Sequence, residues 1–403
     1  MKNNQLAVLE KNYTSLYQEL CLNGFLVDSK DNEVNKVINI LNRVENNNDH
    51  FVLTINPTMN CNFKCWYCYE SHIKSSKINH QTLNKILAYL QHIFEQNQHM
   101  KSFSLRFFGG EPLLYFYDSC YPIMKTFQLL CNMHKVKGNI GFTTNGFLIN
   151  DEMVSKFKEF NDLFFQITLD GYKDEHDSVR YTSRQKGSYD RIVKNITTLV
   201  NNNFVVLQRI NYTPDKLNNS HKILADLTNI ECDKRKNIVT SFHCVWQTSK
   251  LAYNTNNYNN LLDQMDLFEA NKIPTDSHLR LHKVQEVCYA DIQNSAVVNF
   301  NGDLFKCTAR NFDTVNRVGY LDESGIPVWD SDKIEKRERA KVLNKKCLSC
   351  RILPVCKGGC SQHRLEADGG EYCIYNFDDN LIDQTIEMNL NRLVNLKSKR
   401  GVL

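Results

Sequence analysis

No apolar run in this chain approaches the ~20 residues that cross a bilayer, so a membrane-spanning class is excluded from the start. Charge of one sign is also scarce. A net charge of +4 over 403 residues leaves no strongly basic face of the kind nucleic-acid binding requires. The N-terminus, Met1-Lys2-Asn3-Asn4-Gln5, enters a polar stretch without the apolar core of a secretory signal, which makes a cytoplasmic location the expectation. No solenoid-type repeat is present. What remains is a globular chain, 42% hydrophobic and 23% charged, long enough for one large domain and a smaller one.

Cysteine, by contrast, is abundant, with fifteen residues. Without a secretory signal, metal binding is a better account than disulfides. Ten of the fifteen fall in motif-spaced sets. The others, Cys21, Cys120, Cys131, Cys232 and Cys244, have no ligand spacing and are expected to be small buried apolar side chains. Cys61, Cys65 and Cys68 are spaced Cx3Cx2C. Three thiolates so placed hold three irons of a [4Fe–4S] cube and leave the fourth open to a small molecule. Half a zinc site or a redox dithiol are the plainer alternatives for a CxxC.

The hydrophobic pattern alternates strands with helices from residue 51 onward. Strands are expected at 51–55, 103–108, 140–144, 164–169, 204–210 and 238–246. Helical spacing covers 82–94, 123–130 and 189–200. Six such units predict an α/β fold with parallel strands, an incomplete (β/α)6 barrel. The cysteine triplet, Gly109-Gly110-Glu111, Asn145-Gly146 and Asp170-Gly171 each follow an expected strand, so they should meet on one rim. Residues 1–50 form a preface with a helix-like stretch at 34–41. The barrel is expected at 51–248, and 249–280, polar and asparagine-rich at 250–260, reads as a linker. A cysteine-rich domain with a helix at 381–396 is expected at 281–403.

In that last region Cys288 precedes Gly302 by thirteen intervening residues, and Gly302 precedes Cys307 by four. Cys347, Cys350, Cys356 and Cys360 follow at Cx2Cx5Cx3C, and Cys373 closes the set. Zinc is a natural occupant for Cys347, Cys350, Cys356 and Cys373.

The run from Asn60 to Cys68, with Tyr67 before the last cysteine, is identified as the signature of the radical S-adenosylmethionine (radical SAM) family. The C-terminal pattern resembles its SPASM domain, found in members that modify peptides and proteins. Phe107 to Leu113 resembles the family's GGEP motif, which implies that Gly109, Gly110 and Glu111 receive the methionine amine of SAM. By the same resemblance Thr168 faces the ribose, Arg180 pairs with the SAM carboxylate, and Asn145 is a further contact. The resemblance implies one [4Fe–4S] cluster at Cys61, Cys65 and Cys68, and two auxiliary clusters. Cys347, Cys350, Cys356 and Cys373 would ligate one; Cys288, Cys307 and Cys360 the other, which has only three thiolates and an open iron or a non-cysteine ligand. His282 is nearby but is expected to be an ordinary surface residue.

The activity so implied is reductive cleavage of SAM to a 5′-deoxyadenosyl radical that abstracts hydrogen from a ribosomally made precursor peptide. A thioether or carbon–carbon crosslink would result, with a flavodoxin or ferredoxin as reductant. Auxiliary clusters suit such chemistry, because closing a bond after hydrogen abstraction releases electrons. An anaerobic sulfatase-maturing enzyme is the alternative, but that family expects an aspartate where Thr308 follows Cys307. A non-enzymatic iron–sulfur or zinc protein is the alternative of another class.

Overall fold

The computed structural model describes residues 3–22, 26–28, 30–182, 186–251, 255–277, 283–340, 344–367 and 371–399. Its centre is six parallel strands in chain order: β1 (His50–Ile55), β2 (Ser102–Phe107), β3 (Lys137–Thr144), β4 (Leu163–Leu169), β5 (Val205–Tyr212) and β6 (Ile238–Cys244). Neighbours pair in parallel register throughout, for example Ile55 with Phe107 and Phe107 with Phe142. Helices fill the crossovers, as parallel pairing of consecutive strands demands. The long ones are His80–Gln96, Tyr121–His134 and Tyr189–Asn201.

Period-two alternation decides which side of each strand meets the helices. On β2, Phe103, Leu105 and Phe107 are fully buried, whereas Ser104 and Arg106 line a central cavity. On β4, Phe165, Ile167 and Leu169 enter the core, and Phe164, Gln166 and Thr168 line the same cavity. The helix-side core is dense in phenylalanine. Phe142 stacks between Phe107 at 4.7 Å and Phe165 at 5.7 Å, and Phe116 and Phe157 close over them. The helix His80–Gln96 starts where the Asn79 side chain accepts from the Thr82 N–H, and it buries Ile86, Tyr89, Leu90, Ile93 and Phe94. Each fully buried side chain of this kind contributes about 1.5–3 kcal/mol.

The sheet does not close on itself. Strand β7 (Thr275–Ser277) extends it beyond β6, and β8 (Ser295–Val298) lies parallel on the outer side of β1. Strands β9 (Asp303–Phe305), β10 (Gly319–Leu321) and β11 (Pro327–Trp329) continue antiparallel from β8, giving eleven strands in one sheet. The expected partial (β/α)6 barrel is thus the parallel centre of a larger sheet, and the cysteine-rich region is joined to its first strand.

Two expectations need correction here. Part of the polar stretch read as linker is the helix Thr255–Ala270; residues 252–254 lie outside the described residues. Its asparagines lower helix propensity, but Leu261, Met265 and Phe268 form a stripe that is buried in the barrel core, and packing prevails. Of the five cysteines without ligand spacing, Cys120, Cys131 and Cys244 are buried, but Cys21 and Cys232 are exposed. Cys21 belongs to the helix Thr14–Leu22, which has no buried residue. In the preface, the helix Glu33–Glu45 packs Val37 and Leu41 against Cys347 and Leu353.

Candidate active site

The cysteine triplet leaves β1 in a loop that two glycines hold against the end of β2. A Cβ on Gly109 would stand 2.4 Å from the Thr58 carbonyl oxygen, and one on Gly110 would stand 2.2 Å from that of Asn60. Only glycine allows this approach. The backbone N–H groups of Gly110 and Glu111 donate to those same two carbonyls, at 3.0 and 2.9 Å. The glycines therefore serve first to clamp the two loops together, setting Cys61 beside the rim.

The structure brings Cys61, Cys65, Cys68, Gly109, Gly110, Asn145, Thr168 and Arg180 around one cavity of about 910 Å³. That is near the top of the ~300–1,000 Å³ usual for small-molecule sites. Glu111 differs from its expected part. It is fully buried and does not line the cavity. Its carboxylate accepts from the Thr144 hydroxyl at 2.7 Å, the Asn145 N–H at 2.8 Å and the Leu113 N–H at 3.0 Å. It ties the end of β3 to the glycine loop and is a positioning residue.

Arg180 reaches the cavity from within a buried network. Its Nε donates to Asp170, and its Nη2 donates to the Tyr67 hydroxyl at 2.7 Å. That hydroxyl donates to Asp170 at 2.6 Å and accepts from Asn211 Nδ2 at 3.0 Å. Burial opposes the guanidinium charge, but Asp170, Tyr67 and Cys65 together outweigh it and hold the group well above its ordinary value. The tyrosine of the cysteine loop is thus bonded to residues at the ends of β4 and β5 and to the residue that ends the helix Lys173–Val179. The sequence places Asp170 on the rim but does not mark Asn211, and neither bond to Tyr67 is legible in it, since they span 103 and 144 residues.

Burial favours the protonated form of all three thiols. Burial, and then the Glu111 carboxylate, push Cys61 up to about 12. Burial also raises Cys65 and Cys68. Iron must therefore displace protons to bind, as thiolate ligation always requires. The donor set, three soft thiolates at a rim with an orphaned buried amide beside them (Asn62 Nδ2), suits an iron–sulfur cluster. Arg106 and Arg209 also line the cavity; burial lowers both, Arg106 to about 10. The alternation in β2 and β5 is the signal that would have found them. Glu70 is the one carboxylate among the described lining residues, and burial raises it to about 8.

The C-terminal region completes the cavity wall with Tyr289, Thr308, Ala309, Arg310 and His363. Each lies within three residues of Cys288, Cys307 or Cys360. The hairpin β8–β9 carries Cys307 two residues past its end, and β8 is hydrogen-bonded along β1. Met59 of the triplet loop packs with Val297, Phe305 and Phe312. The Thr308 N–H donates to the Tyr289 hydroxyl at 2.7 Å. Burial pushes Cys288 up to about 11, with Asp291, Cys307 and Cys360 adding to the rise. Cys347, Cys350, Cys356 and Cys373 line a separate small pocket with Ile352, Leu353 and Tyr375. Between the two sets, Lys357, Gly358 and Gly359 all have positive φ, 57°, 79° and 81°. That left-handed run separates Cys356, which lines the small pocket, from Cys360, which does not. Among the described residues no group of three or more His, Cys, Asp or Glu side chains is drawn up around a single metal ion. His282 lies outside the described residues.

Residues 55–224 match the model of the Radical SAM superfamily. The chain is 24% identical over 334 residues to the cysteine-type anaerobic sulfatase-maturating enzyme of Clostridium novyi, covering 76% of this chain and 86% of that protein. It shares its fold with solved structures of low identity. One is anSMEcpe with bound AdoMet and the Kp18Cys peptide, with TM-score 0.64 and 17% identity over 87% of this chain and 99% of that one. Another is Streptococcus suis SuiB bound to precursor peptide SuiA, with TM-score 0.55 and 18% identity over 91% of this chain and 87% of that one. No helix among the described residues is long and apolar enough to cross a membrane. A non-enzymatic role gives way to the family match, which implies SAM and a [4Fe–4S] cluster. Residues 55–224 are thus a Radical SAM superfamily domain, set in a chain whose overall fold is shared with anSMEcpe and SuiB.

Proposed function

We propose that this enzyme is a maturase that installs a thioether or carbon–carbon crosslink in a ribosomally made precursor peptide. The observation that carries the reading is the composition of the cavity wall. One side is the cysteine triplet and the polar face of the barrel; the other is formed by neighbours of Cys288, Cys307 and Cys360. A substrate seated there would meet the triplet on one side and the neighbours of the second thiol set on the other. The peptide-bound neighbours anSMEcpe and SuiB support a peptide as that substrate.

Cys61, Cys65 and Cys68 would hold the radical cluster. Gly109 and Gly110 offer backbone groups to SAM, Thr168 its hydroxyl and Arg180 its charge; Glu111 and Asn145 hold the rim in place. Cys347, Cys350, Cys356 and Cys373 would hold one auxiliary cluster, and Cys288, Cys307 and Cys360 the other. When bound, these groups supply a 5′-deoxyadenosyl radical and an acceptor for the electrons that bond closure releases. A flavodoxin or ferredoxin would be the reductant. The preface, residues 1–50, would be a peptide-contacting element; exposed Val8, Tyr13 and Leu16 there support it.

Sulfatase maturation is the second reading, favoured by the extent of the Clostridium novyi match. Against it, Thr308 stands where that activity expects an acid, and its hydroxyl is engaged with Tyr289 at 2.6 Å. Co-expression with a short peptide encoded beside the gene, followed by mass spectrometry, separates the two. Loss of two hydrogens supports the crosslink. Exchange of a cysteine sulfur for oxygen together with loss of two hydrogens, as in formylglycine, would overturn it.

A further inference from the structure

We propose that Asn62 raises the reduction potential of the cluster at Cys61, Cys65 and Cys68 by donating an N–H···S hydrogen bond from its side-chain amide. This rests on the assignment of that triplet made above. The orientation of the amide is set by a chain of contacts that begins at Glu111. Glu111 Oε2 accepts from the Asn145 backbone N–H at 2.8 Å. Asn145 Oδ1 accepts from the Phe147 N–H at 3.0 Å, so its Nδ2 is the end left to donate. That Nδ2 donates to Asn62 Oδ1 at 2.7 Å. A flipped Asn62 amide would set donor against donor, so the network assigns its two ends.

Asn62 Nδ2 is what is left over. It is buried and has no acceptor among the described residues. Native structures rarely bury an amide donor without a partner. The amide belongs to the residue directly after Cys61, and its oxygen stands 3.9 Å from Cys61 Sγ. That sulfur already accepts the Phe63 backbone N–H at 3.4 Å. In the proposed arrangement, Nδ2 takes a cluster sulfur at this corner as its acceptor. The chain uses the same pairing in its other thiol pocket, where Asn344 Nδ2 donates to Cys347 Sγ at 3.6 Å.

A hydrogen bond to sulfur stabilises the more negative, reduced state of a cluster, so it moves the potential upward. The change is one electron gained with no bond made or broken. Glu111 and Asn145 act through Asn62, which makes the glycine loop part of the redox design as well as of the rim.

The test is a potentiometric EPR titration of the full chain, reconstituted without oxygen and free of SAM. The relevant signal is the one that changes when SAM is added. Asn62→Leu keeps the bulk and removes the donor; Asn62→Ser removes the donor with less bulk. Both should retain wild-type iron content and show a potential lower by about 59 mV, a tenfold drop in the one-electron equilibrium. Asn62→Gln, which keeps a donor, should recover part of it. An unchanged potential at full iron content overturns the proposal. So does weaker SAM binding with an unchanged SAM-free potential, which would turn the amide toward the SAM carboxylate. Should both variants lose iron, unaltered protein labelled with ¹⁵N in asparagine decides. A ¹⁵N coupling on the SAM-responsive signal that Asn62→Gln alters upholds the bond, and its absence overturns it. A wild-type protein with no SAM-responsive signal would instead sink the triplet assignment.

Discussion

At the residue scale, the buried pair of Arg180 and Asp170 is the clearest point of stored electrostatic energy. Both side chains are nearly excluded from solvent. Replacing Asp170 by Asn would leave a buried cation without its counter-charge, and such losses cost about 3–5 kcal/mol. Denaturant unfolding of the iron-free protein should show a midpoint lowered to match; a change within error would contradict the pairing.

His176, fully buried beside that pair, makes a pH prediction. Its Nδ1 accepts from the Asp170 N–H at 3.2 Å, and its Nε2 is bonded to the Ser188 hydroxyl at 2.9 Å. Burial, and then the Arg180 cation, hold it well below the ordinary imidazole value. The folded state therefore keeps the ring neutral at pH values where the unfolded chain protonates it. Below about pH 6.5 the unfolded chain binds more protons, so this contribution is present above that pH and lost as pH falls. The slope approaches 1.4 kcal/mol per pH unit, roughly, once the unfolded ring is fully protonated. His176→Gln should flatten the acid side of the stability curve relative to wild type. Parallel curves from pH 7 to 5 would show that the ring is not held neutral.

Glu111 shows why residue roles outrun sequence. The GGEP resemblance marks it as functional, but its partners Thr144 and Asn145 lie 33 and 34 positions away. Whether a carboxylate faces a ligand or ties two strand ends together depends on pairing that no local motif contains.

At the scale of elements, the six barrel strands and three long helices were legible because each carries a long, regular pattern. The helix expected at 189–200 is Tyr189–Asn201, and its spaced Ile192, Val193, Ile196, Leu199 and Val200 are all buried. Strands β7 to β11 are only three or four residues long, too short to show a period. The helix Thr255–Ala270 was hidden by its asparagines.

One of those short strands makes a prediction. Strand β8 is paired on both sides, with β1 and with β9. A proline at Val297 would remove a ladder donor from an interior strand, where proline is not tolerated. Val297→Pro should detach the cysteine-rich region from the barrel, lowering iron bound at the C-terminal sets more than iron at the triplet. Mössbauer spectra of the separate clusters measure this; an even loss, or none, would contradict the coupling. Within the helix-side core, Phe142→Ala should cost about 3–5 kcal/mol, since Phe142 contacts four other phenylalanines. Thermal unfolding reports it.

For the whole molecule, the arrangement follows from the order of strands in one sheet. Strand β1 feeds the cysteine triplet on one side of the chain and pairs with β8 on the other. The residues that flank Cys288, Cys307 and Cys360 are carried in this way to the wall of the cavity that Cys61 lines. The triplet and the later cysteine spacings could be read directly as two kinds of thiol set. The meeting of the triplet with residues that flank the later set at one cavity could not, because it depends on a strand pairing between residues more than 240 positions apart.

The most direct test of the account is the formation of 5′-deoxyadenosine by anoxically reconstituted enzyme supplied with SAM and a strong reductant. The wild-type chain should produce it. Cys61→Ala, Cys65→Ala and Cys68→Ala should each reduce it to background with the protein still folded. Product from any of these variants at the wild-type rate would contradict the assignment of the triplet as the reacting centre.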